Sequence, residues 1–367
     1  MTDYAIEDLT ASAYRIPTPG PEADGTLHWD GTTIVVVQVR CGGVTGLGWT
    51  YANEACVELV HGVLADELRG RDVLDTPACW HAMQRRVRNL GRVGLVSCAM
   101  SAVDIALWDA AARLREMPLC RLLGRVHDRV DVYGSGGFTT YDDPRLSAHL
   151  EDWVGTRGIP RVKIKIGEGW GTAVERDIAR VARTRQVAGA TAEVYVDANG
   201  AYSAAQAARV GARLAEWNVT WFEEPVSSDD LDGLRRVRDA VPADVAAGEY
   251  GYDLPYFRRM IDNDSVDCVQ VDVTRCGGYT EWLRITALAA AANLEVSAHC
   301  APNVSVPAAV ATANFRHVEW FADHDRIEPM LFTGTLDPSG GWVEPDLSAP
   351  GHGLALSADA ADSYRLR

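Results

Sequence analysis

Glu193-Val194-Tyr195-Val196-Asp197-Ala198-Asn199 is followed by a helical stretch over 203–217 and then by Val219-Thr220-Trp221-Phe222-Glu223-Glu224-Pro225. Each apolar run is short, rich in β-branched or aromatic residues, and ends in a carboxylate, as a buried strand does where it opens into a loop. Between the two runs Ala207, Val210 and Leu214 share one helical face. The same strand–helix alternation continues in both directions. Upstream are strand-like runs at 130–133 and 161–166, with a helix over 172–187 in which Val174, Ile178 and Val181 align. Downstream, runs fall at 245–247, 268–271, 295–298 and, less sharply, 317–321. Eight strands with crossover helices predict a closed (β/α) barrel of modified TIM type, an α/β fold, rather than an open sheet.

The first 127 residues have a different organisation. Thr32-Thr33-Ile34-Val35-Val36-Val37-Gln38-Val39 is a strand, Cys41-Gly42-Gly43 a turn, and Gly46-Leu47-Gly48-Trp49 a second short strand with a flexible connection. Helical patterns follow, the strongest over 97–116, where Met100, Val103, Leu107 and Ala111 form one stripe. Strands followed by helices describe an α+β unit.

Composition narrows the function. The 367-residue chain is 47% hydrophobic and 23% charged, with a formal net charge of −16. So acidic a surface repels phosphate backbones and argues against nucleic acid as a partner. The start, Met1 to Asp8, lacks the basic and apolar regions of a signal peptide. No apolar run is read as approaching the roughly 20 residues of a membrane span, the most hydrophobic helix being placed near 285–294. The eight cysteines include no C-x-x-C pair, so reduced thiols in a cytoplasmic protein are expected.

Catalytic residues of a barrel lie at the C-terminal ends of its strands. There the sequence places Lys163 and Lys165, Asp197 and Asn199, Glu223 and Glu224, Glu249, Asp272, His299 and Glu319 in succession. Ionisable groups inside a barrel are costly unless paired, and seven consecutive strands delivering them exceeds what packing requires. Any one of these acids could be a structural salt-bridge partner. Together, Asp197, Glu223 and Glu249 bring three carboxylates from adjacent strands to one place, where a cation must offset their repulsion. An all-oxygen set favours Mg²⁺, with Mn²⁺ as the alternative. Lys163 and Lys165 alternate onto one strand face, toward the barrel interior, and burial beside a dication would lower their pKa values so that one can act as a base. Asp272 can fix the tautomer of His299 from the neighbouring strand.

This ordered set, K-x-K, D-x-N, E-E-P, G-E, D and H, resembles the enolase superfamily and its mandelate racemase-like subgroup. The stretch Ala102-Val103-Asp104-Ile105-Ala106-Leu107-Trp108-Asp109 and the following Pro118-Leu119 and Leu122-Leu123-Gly124 extend the resemblance over nearly the whole chain. The resemblance implies a capping domain over 1–127, a catalytic barrel over 128–335, and a segment over 336–367 that packs back on the cap. It implies that Asp197, Glu223 and Glu249 hold Mg²⁺ and that the metal binds a small-molecule carboxylate. Lys165 would be the base on one face and His299, oriented by Asp272, the base on the other. Lys163 would neutralise the carboxylate, Glu319 would donate a hydrogen bond to the developing enolate oxygen, and Glu224 would pair with a nearby base. Asn199, Tyr133 and Ser135 would contact substrate. A mobile loop over 18–30 would close on the barrel and set specificity through His28 and Trp29. Assembly into an even-numbered homo-oligomer is also implied.

Two opposed bases permit racemisation, β-elimination of water or cycloisomerisation. Acid-sugar dehydratases with the His–Asp pair are the commonest type in the resembling subgroup, so dehydration of an aldonate or aldarate is the leading expectation and cycloisomerisation the next. A mandelate site would call for a mainly apolar pocket, whereas the segment around His28 is mixed.

Overall fold

The computed structural model describes residues 4–366. Three antiparallel strands come first, β1 (Ile6–Ala23), β2 (His28–Cys41) and β3 (Val44–Thr50), hydrogen-bonded in that order. Gly42 and Gly43, at φ 51° and 78°, close the Cys41–Val44 pair as a two-residue turn that demands left-handed backbone. Gly46 and Gly48 have a different purpose. A Cβ at either would stand 2.1 Å from the Ala106 carbonyl or 2.3 Å from that of Ala102, so these glycines let the strand lie directly on a helix.

The segment read as a loop over 18–30 is mostly paired strand. Pro17 faces Gly31 and, after an irregularity, Glu22 faces Trp29 and Ala23 faces His28. Pro17, Pro19 and Pro21 conceal this strand in the sequence. They are tolerated because β1 is an edge strand, where a missing N–H leaves no ladder bond unmade.

The helix Leu95–Leu114 lies between this sheet and the barrel helix Gly278–Ala291. By length and composition it could cross a membrane, which corrects the expectation that no run in the chain approaches that length. Its apolar surface is instead buried inside the fold. Two buried aspartates tie it in place. Asp104 accepts from the Thr280 N–H (2.9 Å) and hydroxyl (2.6 Å), and Asp109 accepts from the N–H groups of Leu47 (2.8 Å) and His352 (2.9 Å).

Eight parallel strands then form the barrel: β4 (Val130–Gly136), β5 (Arg161–Lys165), β6 (Glu193–Asp197), β7 (Val219–Glu223), β8 (Asp244–Ala247), β9 (Cys268–Val271), β10 (Glu295–Ala298) and β11 (Phe315–Phe321). Each pairs with the next, and β11 pairs with β4 to close the ring. Inside, Tyr133, Tyr195, Trp221, Ala246 and Cys268 form an apolar floor. The register above it sets Lys165 beside Asp197 and Asp197 beside Glu223. The chain's end returns across the N-terminal unit, with the Leu366 N–H donating to Ala13 (2.7 Å) and the Arg15 N–H donating to Tyr364 (2.9 Å).

Candidate active site

Above the apolar floor the barrel carries a sealed network of charge. Asp197, Glu223 and Glu249 each present an oxygen within 4.8 Å of the others, all buried. Lys163 reaches three carboxylates. It pairs closely with Glu223, lies 2.8 Å from Glu319 and 3.9 Å from Asp197; Lys165 pairs closely with Asp197. Burial alone would push both ammoniums down. The surrounding carboxylates outweigh it and hold Lys163 well above its ordinary range and Lys165 above it as well. The direction follows because two cations here face more than two anions.

The remaining acids divide according to their neighbours. Burial, with Asp197 and Glu319 nearby, pushes Glu223 up to about 8 despite Lys163. Glu224 too is raised well above its ordinary value, by burial and by the charges of Glu249 and Asp197. Its side chain accepts from the Ser228 hydroxyl, so it does not pair with a base as expected. Burial would also raise Glu249, but His299, Arg275 and Lys165 hold it well below the usual carboxylate range.

On the other side of the site His299 Nδ1 lies 2.8 Å from Asp272, leaving Nε2 directed at Glu249 (3.3 Å) and Glu319 (3.7 Å). Burial disfavours the imidazolium, yet Cys300, Glu249 and Asp272 raise His299 well above its ordinary value. Asp272 also accepts from the Thr274 N–H and hydroxyl, both at 2.7 Å, which fix its orientation.

Glu319, expected to donate to a developing enolate oxygen, is surrounded by donors of the chain. It accepts from the Ser135 hydroxyl (2.6 Å), the Cys300 N–H (3.1 Å) and Lys163. Burial is overcome by Lys163, His299 and Lys165, so the group is held ionised. Ser135 therefore serves Glu319 and is fully buried. Tyr133 belongs to the floor, its hydroxyl 3.4 Å from the Lys163 ammonium. Asn199 follows β6 at φ 46° and donates its N–H to Asp197 (2.9 Å). Its amide oxygen has no hydrogen-bond partner.

The hairpin tip reaches the barrel mouth. Gly25 accepts from the Trp170 N–H (2.9 Å), and the Thr139 N–H donates to Ala23 (2.8 Å). Trp29 is half-buried, edge-on to Phe138 at 5.4 Å and hydrogen-bonded to Glu22 (3.1 Å), while His28 is exposed. Phe138 in turn meets Phe321 at 5.7 Å, and Lys165 lies 5.9 Å above the Phe321 ring. An aromatic path thus links the hairpin to one of the two lysines. A cavity of about 510 Å³ opens beside the triad, lined by Asn199, Glu224 and Tyr250, each within two residues of a triad carboxylate. Lys165 and His299 do not line it, so it adjoins the reaction centre without containing it.

Three participants were not visible in the sequence reading. Arg275 spans Glu249 (3.3 Å) and Asp272 (3.4 Å), Cys300 lies against His299, and the His324 ring stacks on Tyr51 of the N-terminal unit at 3.4 Å. The D-x-x-R spacing from Asp272 to Arg275 is a usable signal for the first.

The triad fits a hard dication. Its donors are all carboxylate oxygens, and Glu249 Oε2 is buried without a hydrogen-bond partner.

Residues 145–360 match the family model for an enolase C-terminal domain-like unit, and residues 10–124 that for the mandelate racemase/muconate lactonizing enzyme N-terminal domain. The chain belongs to the enolase superfamily, in its mandelate racemase-like group. A mandelate racemase/muconate lactonizing enzyme-like protein from Rubrobacter xylanophilus superposes with a TM-score of 0.95 at 46% identity, over 98% of this chain and 99% of that one. The 3,6-anhydro-alpha-L-galactonate cycloisomerase of Streptomyces coelicolor is 31% identical over 96% of this chain and 97% of its own. The L-talarate/galactarate dehydratase of Salmonella typhimurium is 30% identical over 89% and 81%. Its structure liganded with Mg and L-lyxarohydroxamate superposes with a TM-score of 0.90 at 26% identity, over 100% and 94%. An enolase-superfamily enzyme of this group is the conclusion these matches support, and its relatives include both dehydratases and cycloisomerases.

Proposed function

We propose that this enzyme removes the proton α to the carboxylate of an acid sugar and then eliminates the β-hydroxyl as water. The observation that carries the proposal is the placing of two basic groups, Lys165 from β5 and His299 just beyond β10, around one set of three carboxylates. Asp197, Glu223 and Glu249 would hold Mg²⁺, which when bound to the substrate carboxylate offsets the second negative charge that arrives as the α-proton leaves. That dication would also take over the neutralisation of the triad, so Lys165 would lose its hold on Asp197 and move toward the neutral form a base requires.

The chain's own groups then divide the work. One of Lys165 and His299 accepts the α-proton, according to the configuration at that carbon. His299, held by Asp272, gives a proton to the departing β-hydroxyl, which leaves as water; the resulting enol becomes the 2-keto-3-deoxy acid. Lys163 stays protonated against the substrate carboxylate. The apolar floor and the hairpin tip exclude bulk water from the charges.

Cycloisomerisation of a sugar lactone is the second reading. It uses the same proton abstraction, and the S. coelicolor relative, matching nearly end to end, is a cycloisomerase. Proton NMR in D₂O, with Mg²⁺ and a panel of aldonates, aldarates and their lactones, separates the two. Dehydration yields a keto-deoxy acid, and cycloisomerisation an isomer of unchanged formula. Lys165→Ala and His299→Asn should each abolish turnover, with α-proton exchange surviving in one of them. Full turnover in both variants, or no exchange with any acid in the panel, would refute the proposal.

A further inference from the structure

Beside the triad is a second cluster with different donor chemistry. His299 Nε2, Cys300 Sγ and Glu319 Oε2 are all buried, and their separations are 3.3 Å (N to S), 3.4 Å (S to O) and 3.7 Å (N to O). Tetrahedral Zn²⁺ with bonds of about 2.0–2.3 Å has ligand-to-ligand edges of roughly 3.3–3.7 Å, so these three atoms already outline one face of its coordination shell. Two further features point the same way. Asp272 on His299 Nδ1 leaves Nε2 facing the cluster, the carboxylate–histidine arrangement that orients zinc-binding imidazoles. Glu249 Oε2 stands 3.3 Å from the same Nε2, near enough for that triad carboxylate to bridge the two sites as a fourth ligand. Cys300 and Ala301 hold left-handed backbone, φ 49° and 41°, at the turn that follows His299. Two consecutive non-glycine residues in that region are costly.

We propose that His299, Cys300 and Glu319 form a zinc-type site adjoining the magnesium triad, and that Zn²⁺ bound there inhibits the enzyme by capping its histidine. The thiol selects Zn²⁺ over Mg²⁺, as the all-carboxylate triad selects the reverse. Binding replaces the S–H bond of Cys300 and the Nε2–H bond of the protonated His299 with bonds to the metal, and releases both protons to solvent. The site itself does not depend on the substrate; only the loss of turnover rests on His299 acting in the reaction proposed above.

The Mg²⁺-loaded protein is titrated with Co²⁺, a spectroscopic substitute for zinc, and with Zn²⁺ by equilibrium dialysis. One Co²⁺ per chain should bind with a thiolate-to-cobalt charge-transfer band, which Zn²⁺ abolishes while Mg²⁺ stays bound. Cys300→Ser should remove the band and weaken Zn²⁺ at least about tenfold. Cys268→Ser, in the barrel floor, should preserve both. The band is read on the unaltered protein, so its presence does not depend on how a variant folds. Co²⁺ binding without the band, its persistence in Cys300→Ser, or release of one Mg²⁺ per Zn²⁺ would each overturn the site. Zinc binding with undiminished turnover would sustain the site, overturn the inhibition and call the catalytic place of His299 into question.

Discussion

Arg275 governs the two acids that face His299. Its Nη1 lies 3.3 Å from Glu249 and its Nε 3.4 Å from Asp272, so one guanidinium spaces a triad carboxylate from the carboxylate that orients the histidine. Such a group acts through its neighbours. Arg275→Met should lower kcat about 10- to 100-fold, with Arg275→Lys recovering only part because an ammonium cannot span both acids. Unchanged kcat in Arg275→Met would show that the two acids are held by other means. At this scale the sequence placed Asp197, Glu223, Glu249, Lys165 and His299 at strand ends where the structure brings them together, because each ends or directly follows an apolar strand where an unpaired charge stands out. Arg275 and Cys300 escaped notice for the converse reason. They lie in turns beyond the strands, and no periodicity foretells that an αL residue such as Cys300 sets its thiol against a histidine.

Among the elements, the hairpin of β1 and β2 and the helix Leu95–Leu114 join the N-terminal unit to the barrel by different means. The hairpin tip sits so close to the barrel loops that a Cβ on Gly25 would stand 2.7 Å from the Ile166 carbonyl and 2.9 Å from that of Gly167. Gly25→Ala should therefore lift the tip, lowering kcat/KM about tenfold, ~1.4 kcal/mol, while Tm hardly changes. A large fall in Tm with kcat/KM unaltered would mean that the tip supports the fold and has no part in closure. The helix instead docks through buried Asp104, whose carboxyl is raised to about 7 by burial against the pull of Thr280. A carboxyl raised in the folded state favours folding while protonated, and that contribution is lost as pH climbs through its folded value. Asp104→Asn has no such loss. Between pH 5 and 8 urea unfolding should move in its favour relative to the parent by about 2–3 kcal/mol. A constant difference would place the Asp104 carboxyl at its ordinary value. All eight barrel strands were legible in the sequence because buried parallel strands are continuous apolar runs. The end of β1 over 17–23 was not, because the prolines that an edge strand tolerates are the same residues that signal a loop.

Considered whole, the molecule carries a net charge of −16 and concentrates three carboxylates on adjacent strands of a closed ring. On the proposed reaction that field would draw a dication and repel a carboxylate, so a metal would precede the substrate and supply the positive site that admits it. A dication on Asp197, Glu223 and Glu249 would also crosslink β6, β7 and the loop beyond β8, and binding to the folded chain alone raises its stability. At a Mg²⁺ concentration a hundred times its Kd the gain is about 2.7 kcal/mol, visible as a rise in Tm of several degrees that a chelator reverses. The shift should shrink as ionic strength increases, because screening weakens the attraction of the acidic surface. Glu249→Gln should abolish most of it without disturbing the Lys163 and Lys165 pairs, which involve Asp197, Glu223 and Glu319 instead. A full Mg²⁺ shift in that variant would remove Glu249 from the metal site. Since thermal unfolding reads binding without turnover, the triad can be tested before any substrate is known.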